Sequence, residues 1–95
     1  MKNSHTTEIS SYDIHGEAEE SILFIHGFPN NKEIWDRIID KLKCDFKCYA
    51  IDLPNFGSSP VIEGLDMSIH NLAQSIKLFI DKNIKEKTIT IVAHD

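Results

Sequence analysis

The stretch Ser21-Ile22-Leu23-Phe24-Ile25-His26-Gly27-Phe28-Pro29 decides the fold of this 95-residue chain. After Ser21, the residues Ile22 to Ile25 form a short apolar run, and such a run stopped by a glycine turn is typical of a strand buried on both faces of a parallel sheet. The pattern therefore predicts a central strand that ends before His26. Because parallel strands are joined by crossovers, helices are expected on either side of it.

The rest of the chain alternates between strand and helix patterns around one irregular stretch, residues 55–66. Loose alternation of apolar and polar side chains indicates a polar strand before the central one. Two apolar stripes at helical spacing indicate two helices, and a capping box of Asn30 and Glu33 begins the first. Alternating and β-branched residues indicate two more strands. The predicted elements are strands at Glu8 to Ile14, Lys47 to Leu53 and Thr88 to Ala93, and helices from about Lys32 to Lys43 and Ser68 to Asn83.

This order predicts an α/β fold with a mostly parallel sheet and helices on both faces. The last three strands are joined by helical crossovers, so they should lie parallel with right-handed connections. The chain length fits one domain at most, and no internal repeat divides it.

Composition excludes several classes of protein. The chain carries 15 acidic and 10 basic residues, a net charge of −5, and its lysines are dispersed, so neither nucleic acid nor a membrane is an expected partner. The longest aliphatic or aromatic run, Ile22 to Ile25, is far short of the ~20 residues that span a bilayer, and the polar start has no signal-peptide core. A cytoplasmic location is the expectation. Cys44 and Cys48 are too few for a disulfide framework and are expected to be reduced thiols.

Ligands of parallel α/β sheets bind beyond the carboxyl ends of the strands, so the residues after each strand are the candidates for chemistry. These strand exits are His26 to Pro29, Asp52 to Ser59, and Ala93 to Asp95. Each exit also has another interpretation. The first is a purely structural turn, since glycine-proline turns are common, and Asp95 is a solvated carboxylate, as a terminal aspartate usually is. Phosphate binding by the second loop is disfavoured, because the loop lacks the lysine of a phosphate-binding loop. Unpaired N–H groups in the first turn are nevertheless what an oxyanion hole requires.

Together, in this order and spacing, the three exits resemble the N-terminal part of the α/β-hydrolase fold over about Glu8 to Asp95. The run Val92-Ala93-His94-Asp95 is similar to the nucleophile elbow of the aspartate-nucleophile branch, the epoxide hydrolases and haloalkane dehalogenases. The resemblance implies that the HGFP strand lies between the other two. It also implies that Asp95 is the nucleophile. The oxyanion donor would be the backbone N–H of Phe28, in a turn shaped by His26, Gly27 and Pro29.

An aspartate nucleophile suits attack on an sp³ carbon. Its ordinary pKa near 3.9 keeps it ionised at neutral pH without a base. Opening an epoxide or displacing a halide forms an alkyl ester, which a histidine elsewhere must hydrolyse by activating water, oriented by a further carboxylate. The expected function is therefore hydrolysis of a small organic substrate at an epoxide or carbon–halide bond, with no cofactor and no metal.

Neither the hydrolytic histidine nor its acid is assigned in these residues. His94 should project to the other side of the elbow from Asp95. His5, His15 and His70 lie on elements away from the strand exits where a substrate would bind. Residues 1–95 are therefore expected to be the N-terminal portion of a single hydrolase domain, inactive alone. The alternative is a naturally short, non-catalytic interaction or binding module, and the reading frame after Asp95 separates the two.

Two local expectations complete the prediction. The last strand is uncharged and rich in β-branched residues, so self-association through its exposed edge is expected of the isolated chain. The Phe28–Pro29 bond is hypothesised to be cis, because cis X-Pro bonds concentrate in tight turns.

Overall fold

The computed structural model describes residues 6–94, and its elements follow the predicted order. They are β1 (Tyr12–His15), β2 (Glu20–Ile25), a 3-10 helix (Lys32–Trp35) that runs into α1 (Asp36–Leu42), β3 (Lys47–Ile51), α2 (Ile69–Asn83) and β4 (Thr88–Ala93). The α/β fold class is confirmed. None of the helices within residues 6–94 is long and apolar enough to cross a bilayer.

The four strands form one sheet in the order β1-β3-β2-β4. β2 is parallel to β3 and to β4, and β1 is antiparallel to β3. The HGFP strand therefore lies between the other two parallel strands, as predicted. Ile25 at the end of β2 is the register partner of Ile51 in β3 and of Ala93 in β4, so all three parallel strands end at one edge of the sheet.

Alternation along the strands divides the core between the two faces of the sheet. Leu23 belongs to the buried cluster that contains Phe79 of α2, whereas Phe24 belongs to the cluster that contains Trp35 and Ile39. Each such side chain contributes roughly 1.5–3 kcal/mol through burial. Because α1 and α2 lie on opposite faces, the winding reverses between β2 and β4, and sheets of this type bind ligands at that reversal.

The bounds of the first strand and the cap of the first helix differ from the prediction, whereas the helix begins at Lys32 as predicted. The first strand is shorter and later than predicted, and Ile9 enters the core from outside it, 3% exposed. The first helix begins with a 3-10 turn whose cap is Asn31, not Asn30: Asn31 Oδ1 accepts the N–H of Glu33 at 2.8 Å. The reason is that Asn30 still belongs to the preceding turn, since its N–H donates to the carbonyl of Gly27.

Other local predictions are confirmed. The second helix, α2, ends at Asn83 as expected, and Ser68 caps its start, because the Ser68 Oγ accepts the N–H of Asn71 at 3.2 Å. The Phe28–Pro29 peptide bond is cis. Both cysteines are free thiols, with Cys44 exposed and Cys48 buried.

Candidate active site at the strand exits

His26, the first residue after β2, is a structural part of its turn. Its side chain is buried, Nε2 accepts the N–H of Leu53 at 3.0 Å, and Nδ1 lies 3.0 Å from the carbonyl oxygen of Gly27. Because Nε2 is an acceptor, the ring proton resides on Nδ1 and is donated to Gly27. Both ring nitrogens are therefore engaged, which ties the exit of β2 to that of β3 and leaves His26 no free nitrogen for acid–base chemistry.

The HGFP turn presents Phe28 at the carboxyl edge of the sheet. The N–H of Asn30 closes the turn by donating to the carbonyl of Gly27 at 2.8 Å, while the N–H of Phe28 has no hydrogen-bond partner among residues 6–94. The Phe28 ring is 79% exposed and meets Phe56 edge-on, with ring centroids 5.8 Å apart. A free backbone donor at the end of a buried strand is the feature that an oxyanion site needs.

The residue that organises this edge, Asp52, was not singled out from the sequence. It follows β3 directly and is 1% exposed. Oδ1 accepts the N–H of Lys32 at 2.8 Å, and Oδ2 accepts the N–H of Ser58 at 3.0 Å and the hydroxyl of Ser11 at 2.8 Å. One carboxylate therefore joins the segment before β1, the segment after the HGFP turn and the loop after β3.

The surroundings of Asp52 favour its charged form. Burial alone would raise the pKa of this carboxyl, but hydrogen bonds from Lys32, Ser58 and Ser11, together with the charge of Lys32, outweigh burial and hold the pKa below its ordinary value of 3.8. The Lys32 ammonium lies 3.8 Å from Oδ2. Because both oxygens are engaged, Asp52 is an ionised anchor of the loops and not a candidate nucleophile.

Gly57 allows the loop after β3 to close over Asp52. Its φ is +54°, and a Cβ at this position would lie 2.3 Å from Oδ1 of Asp52, so only glycine fits. Ser59 closes the other side, because its Oγ donates to the Asp52 carbonyl at 3.0 Å. One signal could have identified Asp52: the predicted strand placed it on the same face as Cys48 and Ala50, and a carboxylate on a buried face needs partners.

The exit of β4 is fastened to the exit of β2. The N–H of His94 donates to the carbonyl of Ile25 at 3.1 Å, which extends the ladder one residue past the strand. The exposed His94 ring meets the Trp35 ring edge-on, with centroids 6.4 Å apart. Asp95, the predicted nucleophile, lies outside the described residues, and its role stays a prediction.

Two further histidines have no part in this edge. His15 ends β1 and pairs with Cys48 near the start of β3, which places it toward the opposite edge of the sheet. His70 is exposed on α2, where its Nε2 lies 3.1 Å from the side-chain amide of Gln74. His5 lies outside the described residues. Within residues 6–94, no three His, Cys, Asp or Glu side chains converge as metal ligands would.

Comparison with known proteins gives one family. The family model for the alpha/beta hydrolase fold matches residues 20–95. Over 65 residues the chain is 34% identical to the pimeloyl-[acyl-carrier protein] methyl ester esterase of Aeromonas salmonicida, a match that covers 68% of this chain and 25% of that protein.

Solved structures of similar proteins share both fold and sequence with the chain. The Cif epoxide hydrolase of Acinetobacter nosocomialis is 33% identical with a TM-score of 0.81, covering 88% of this chain and 26% of that one. A putative ancestral haloalkane dehalogenase is 29% identical with a TM-score of 0.80, covering 94% of this chain and 32% of that one. The chain thus spans about a quarter to a third of the length of these relatives.

Proposed function

The chain belongs to the alpha/beta hydrolase fold family, and on this premise we propose that it is part of a hydrolase that cleaves epoxide or carbon–halide bonds in small organic molecules. The observation that carries the proposal is the pairing of two strand exits: the turn with the free Phe28 N–H leaves β2, and the neighbouring β4 leads into Asp95. The likeness to an epoxide hydrolase and a haloalkane dehalogenase supports this reaction class.

The proposed reaction has two covalent steps. A carboxylate oxygen of Asp95 attacks carbon, and the carbon–oxygen bond of the epoxide, or the carbon–halogen bond, breaks with its electrons on the leaving atom. Water then attacks the carbonyl carbon of the resulting ester, and the Phe28 N–H stabilises the oxyanion that forms. Collapse releases a diol or an alcohol and restores Asp95. A histidine activates this water by accepting its proton.

Ester hydrolysis is the second candidate. It is favoured by the 34% identity to a methyl ester esterase. The two candidates differ in what happens to the enzyme during turnover, because only the first routes an oxygen of Asp95 into the product.

A single turnover in water labelled with heavy oxygen separates these candidates. The intact protein that carries this chain is mixed in excess with an epoxide, a haloalkane or a simple ester, and the peptide that contains Asp95 is weighed by mass spectrometry. The covalent mechanism predicts that the label enters Asp95, because the product takes one of its original oxygens. A label found only in the product, with turnover on the ester alone, supports the second candidate.

Replacement of the nucleophile tests the residue itself. Asp95→Asn is expected to lower turnover at least about a thousandfold, as loss of a nucleophile does. Asp66→Asn is the matched control, since the exposed Asp66 side chain accepts the N–H of Ser68 and its backbone carbonyl, which the substitution keeps, accepts from Asn71 Nδ2. An Asp95→Asn protein with wild-type turnover would exclude the proposed nucleophile.

A further inference from the structure

The HGFP turn is fixed on both sides of Phe28 by hydrogen bonds that Phe28 does not make. On one side both ring nitrogens of the buried His26 are engaged, by Leu53 and by Gly27. On the other side the N–H of Asn30 donates to the carbonyl of Gly27 at 2.8 Å. The Phe28 N–H has no partner in the described part of the chain. Because no hydrogen bond fixes it there, the direction of this N–H depends on what holds the Phe28 side chain.

The Phe56 ring joins Phe28 to the fixed part of this turn. It meets the Phe28 ring edge-on, with centroids 5.8 Å apart and planes at 80°, and it meets the His26 ring edge-on at 5.3 Å and 71°. Edge-to-face pairs attract through the ring quadrupoles and have a preferred orientation. Because His26 is buried and bonded through both ring nitrogens, its contact with Phe56 restricts the positions that the Phe28 ring can occupy.

Phe56 is itself held by the loop after β3 and by the core. Its N–H donates to the carbonyl of Leu53 at 2.9 Å, and its carbonyl accepts the N–H of Ser59 at 2.9 Å. Its side chain packs against the buried cluster that contains Leu23 and Phe79. A side chain fixed by its own backbone and by the core is able to hold the ring of a neighbouring residue in place.

We propose that Phe56 is a positioning residue that keeps the Phe28 N–H directed at the oxyanion of the ester intermediate. This rests on the proposed function, in which the N–H stabilises the charge that develops when water attacks the ester of Asp95. An oxyanion donor must lie about 2.7–3.1 Å from the charged oxygen, so a small displacement of the turn weakens it. The charge grows only during ester hydrolysis, whereas ester formation consumes the charge of the carboxylate. Loss of the Phe56 ring therefore slows hydrolysis and not ester formation.

Rapid-quench mass spectrometry of the intact protein that carries this chain measures the two steps separately, with styrene oxide and butyl bromide as the probes. Phe56→Leu keeps an apolar side chain but removes the ring. It should slow ester hydrolysis about tenfold, less than the roughly hundred- to thousandfold loss that follows removal of an oxyanion donor. Ester formation should stay within about twofold of wild type, so the ester accumulates. Phe56→Tyr, which retains the ring, should restore hydrolysis.

Phe79→Leu is the matched control. It also removes a ring from an aromatic pair, with Tyr49 at 6.2 Å, but at a core position that is 1% exposed. It should therefore destabilise the fold at least as much as Phe56→Leu while leaving both rates unchanged. Circular dichroism verifies that all three variants are folded. Equal ester hydrolysis by wild type and Phe56→Leu overturns the proposal, and so does an equal slowing by Phe79→Leu.

NMR relaxation of the Phe28 amide separates failure of this proposal from failure of the proposed function, because it requires no substrate. The order parameter of the Phe28 N–H should be near the roughly 0.85 of rigid backbone in wild type and Phe56→Tyr, and should fall toward about 0.6 in Phe56→Leu. An unchanged order parameter overturns the positioning role. A lowered order parameter in a protein that forms no ester with either probe supports the positioning of Phe28 by Phe56 and counts against the covalent mechanism.

Discussion

Replacing Asp52 by asparagine removes a charge from the centre of the candidate site while keeping the size of the side chain. Asparagine has one carbonyl oxygen where aspartate has two carboxylate oxygens. The two oxygens of Asp52 accept the backbone N–H groups of Lys32 and Ser58 at 2.8 and 3.0 Å, one on each oxygen. In either orientation of the asparagine amide, one of these buried N–H groups therefore faces an NH₂ group and loses its acceptor.

The expected loss of stability is about 3 kcal/mol. A hydrogen bond to a charged group contributes roughly 1.5–3 kcal/mol, and a buried donor left without a partner costs about 1–3 kcal/mol. The two contributions overlap, because the lost bond and the orphaned donor belong to the same N–H group. The remaining bonds, to the other N–H and to the Ser11 hydroxyl, lose the charge that strengthens them.

Urea unfolding, followed by circular dichroism at low micromolar concentration, measures this difference. Asp66→Asn is the control, because Asp66 also accepts a backbone N–H, from Ser68 at 2.9 Å, but in an exposed position; its cost should stay within about 0.5 kcal/mol. An Asp52→Asn protein that unfolds within about 0.5 kcal/mol of wild type would refute the anchoring role derived for this carboxylate.

The pH dependence of the same difference follows from the lowered pKa of Asp52. Because the folded state holds the pKa of this carboxyl below 3.8, ionised Asp52 stabilises the fold at every pH above that value. The contribution is lost as the pH falls through the lower, folded-state pKa. The difference in free energy of unfolding between wild type and Asp52→Asn should therefore be constant near neutral pH and become smaller in acid, below about pH 4.

Three further variants or titrations test the loops and the core. Gly57→Ala should destabilise the protein by more than about 2 kcal/mol, measured by urea unfolding, because φ is +54° and the new Cβ would lie 2.3 Å from Oδ1 of Asp52. His26→Phe keeps a ring but leaves the buried Leu53 N–H without an acceptor, so it should cost about 2 kcal/mol in the same assay. Burial raises the pKa of the Tyr49 phenol above its ordinary 10.0. The stability that the neutral phenol contributes should therefore be present below pH 10 and lost as the pH rises through the raised pKa. Absorbance at alkaline pH, with Tyr12 replaced, measures the ionisation of Tyr49.

Control substitutions at a second glycine and a second histidine distinguish the stability effects predicted for Gly57→Ala and His26→Phe from a nonspecific loss of stability. Gly64→Ala has a φ of +80° but open space around the new Cβ, so it isolates backbone strain and should cost only about 1 kcal/mol. His15→Phe alters an exposed histidine and should be nearly neutral. Equal costs at the two glycines, or at the two histidines, would contradict the contacts assigned to Gly57 and His26. A Tyr49 that ionises at or below pH 10 in the folded protein would contradict its burial.

The sequence by itself determined the order of the elements, the central position of β2 and the two faces of β3. These features depend on local periodicity: a four-residue apolar run from Ile22 to Ile25, alternating residues from Lys47 to Leu53, and a helical stripe that ends at Asn83. The resemblance of the strand exits to the α/β-hydrolase fold, and not the periodicity, singled out Phe28 in the turn at the carboxyl edge. Periodic patterns are legible without coordinates because each is set by neighbours within about one helical turn or two strand residues.

Only the tertiary structure decided what fastens the strand exits together. Asp52 is bonded to Ser11, which is 41 residues away, and to Lys32, which is 20 away, while His26 accepts from Leu53, 27 residues on. Local propensity carries no information on such pairs, because they form only when the sheet register brings the ends of β2 and β3 level. In this register both ring nitrogens of His26 are hydrogen-bonded, so His26 supports the oxyanion turn and does no chemistry. The register also places the Asp52 carboxylate where it anchors the loops of the candidate site, although in the sequence Asp52 looked like an ordinary strand residue.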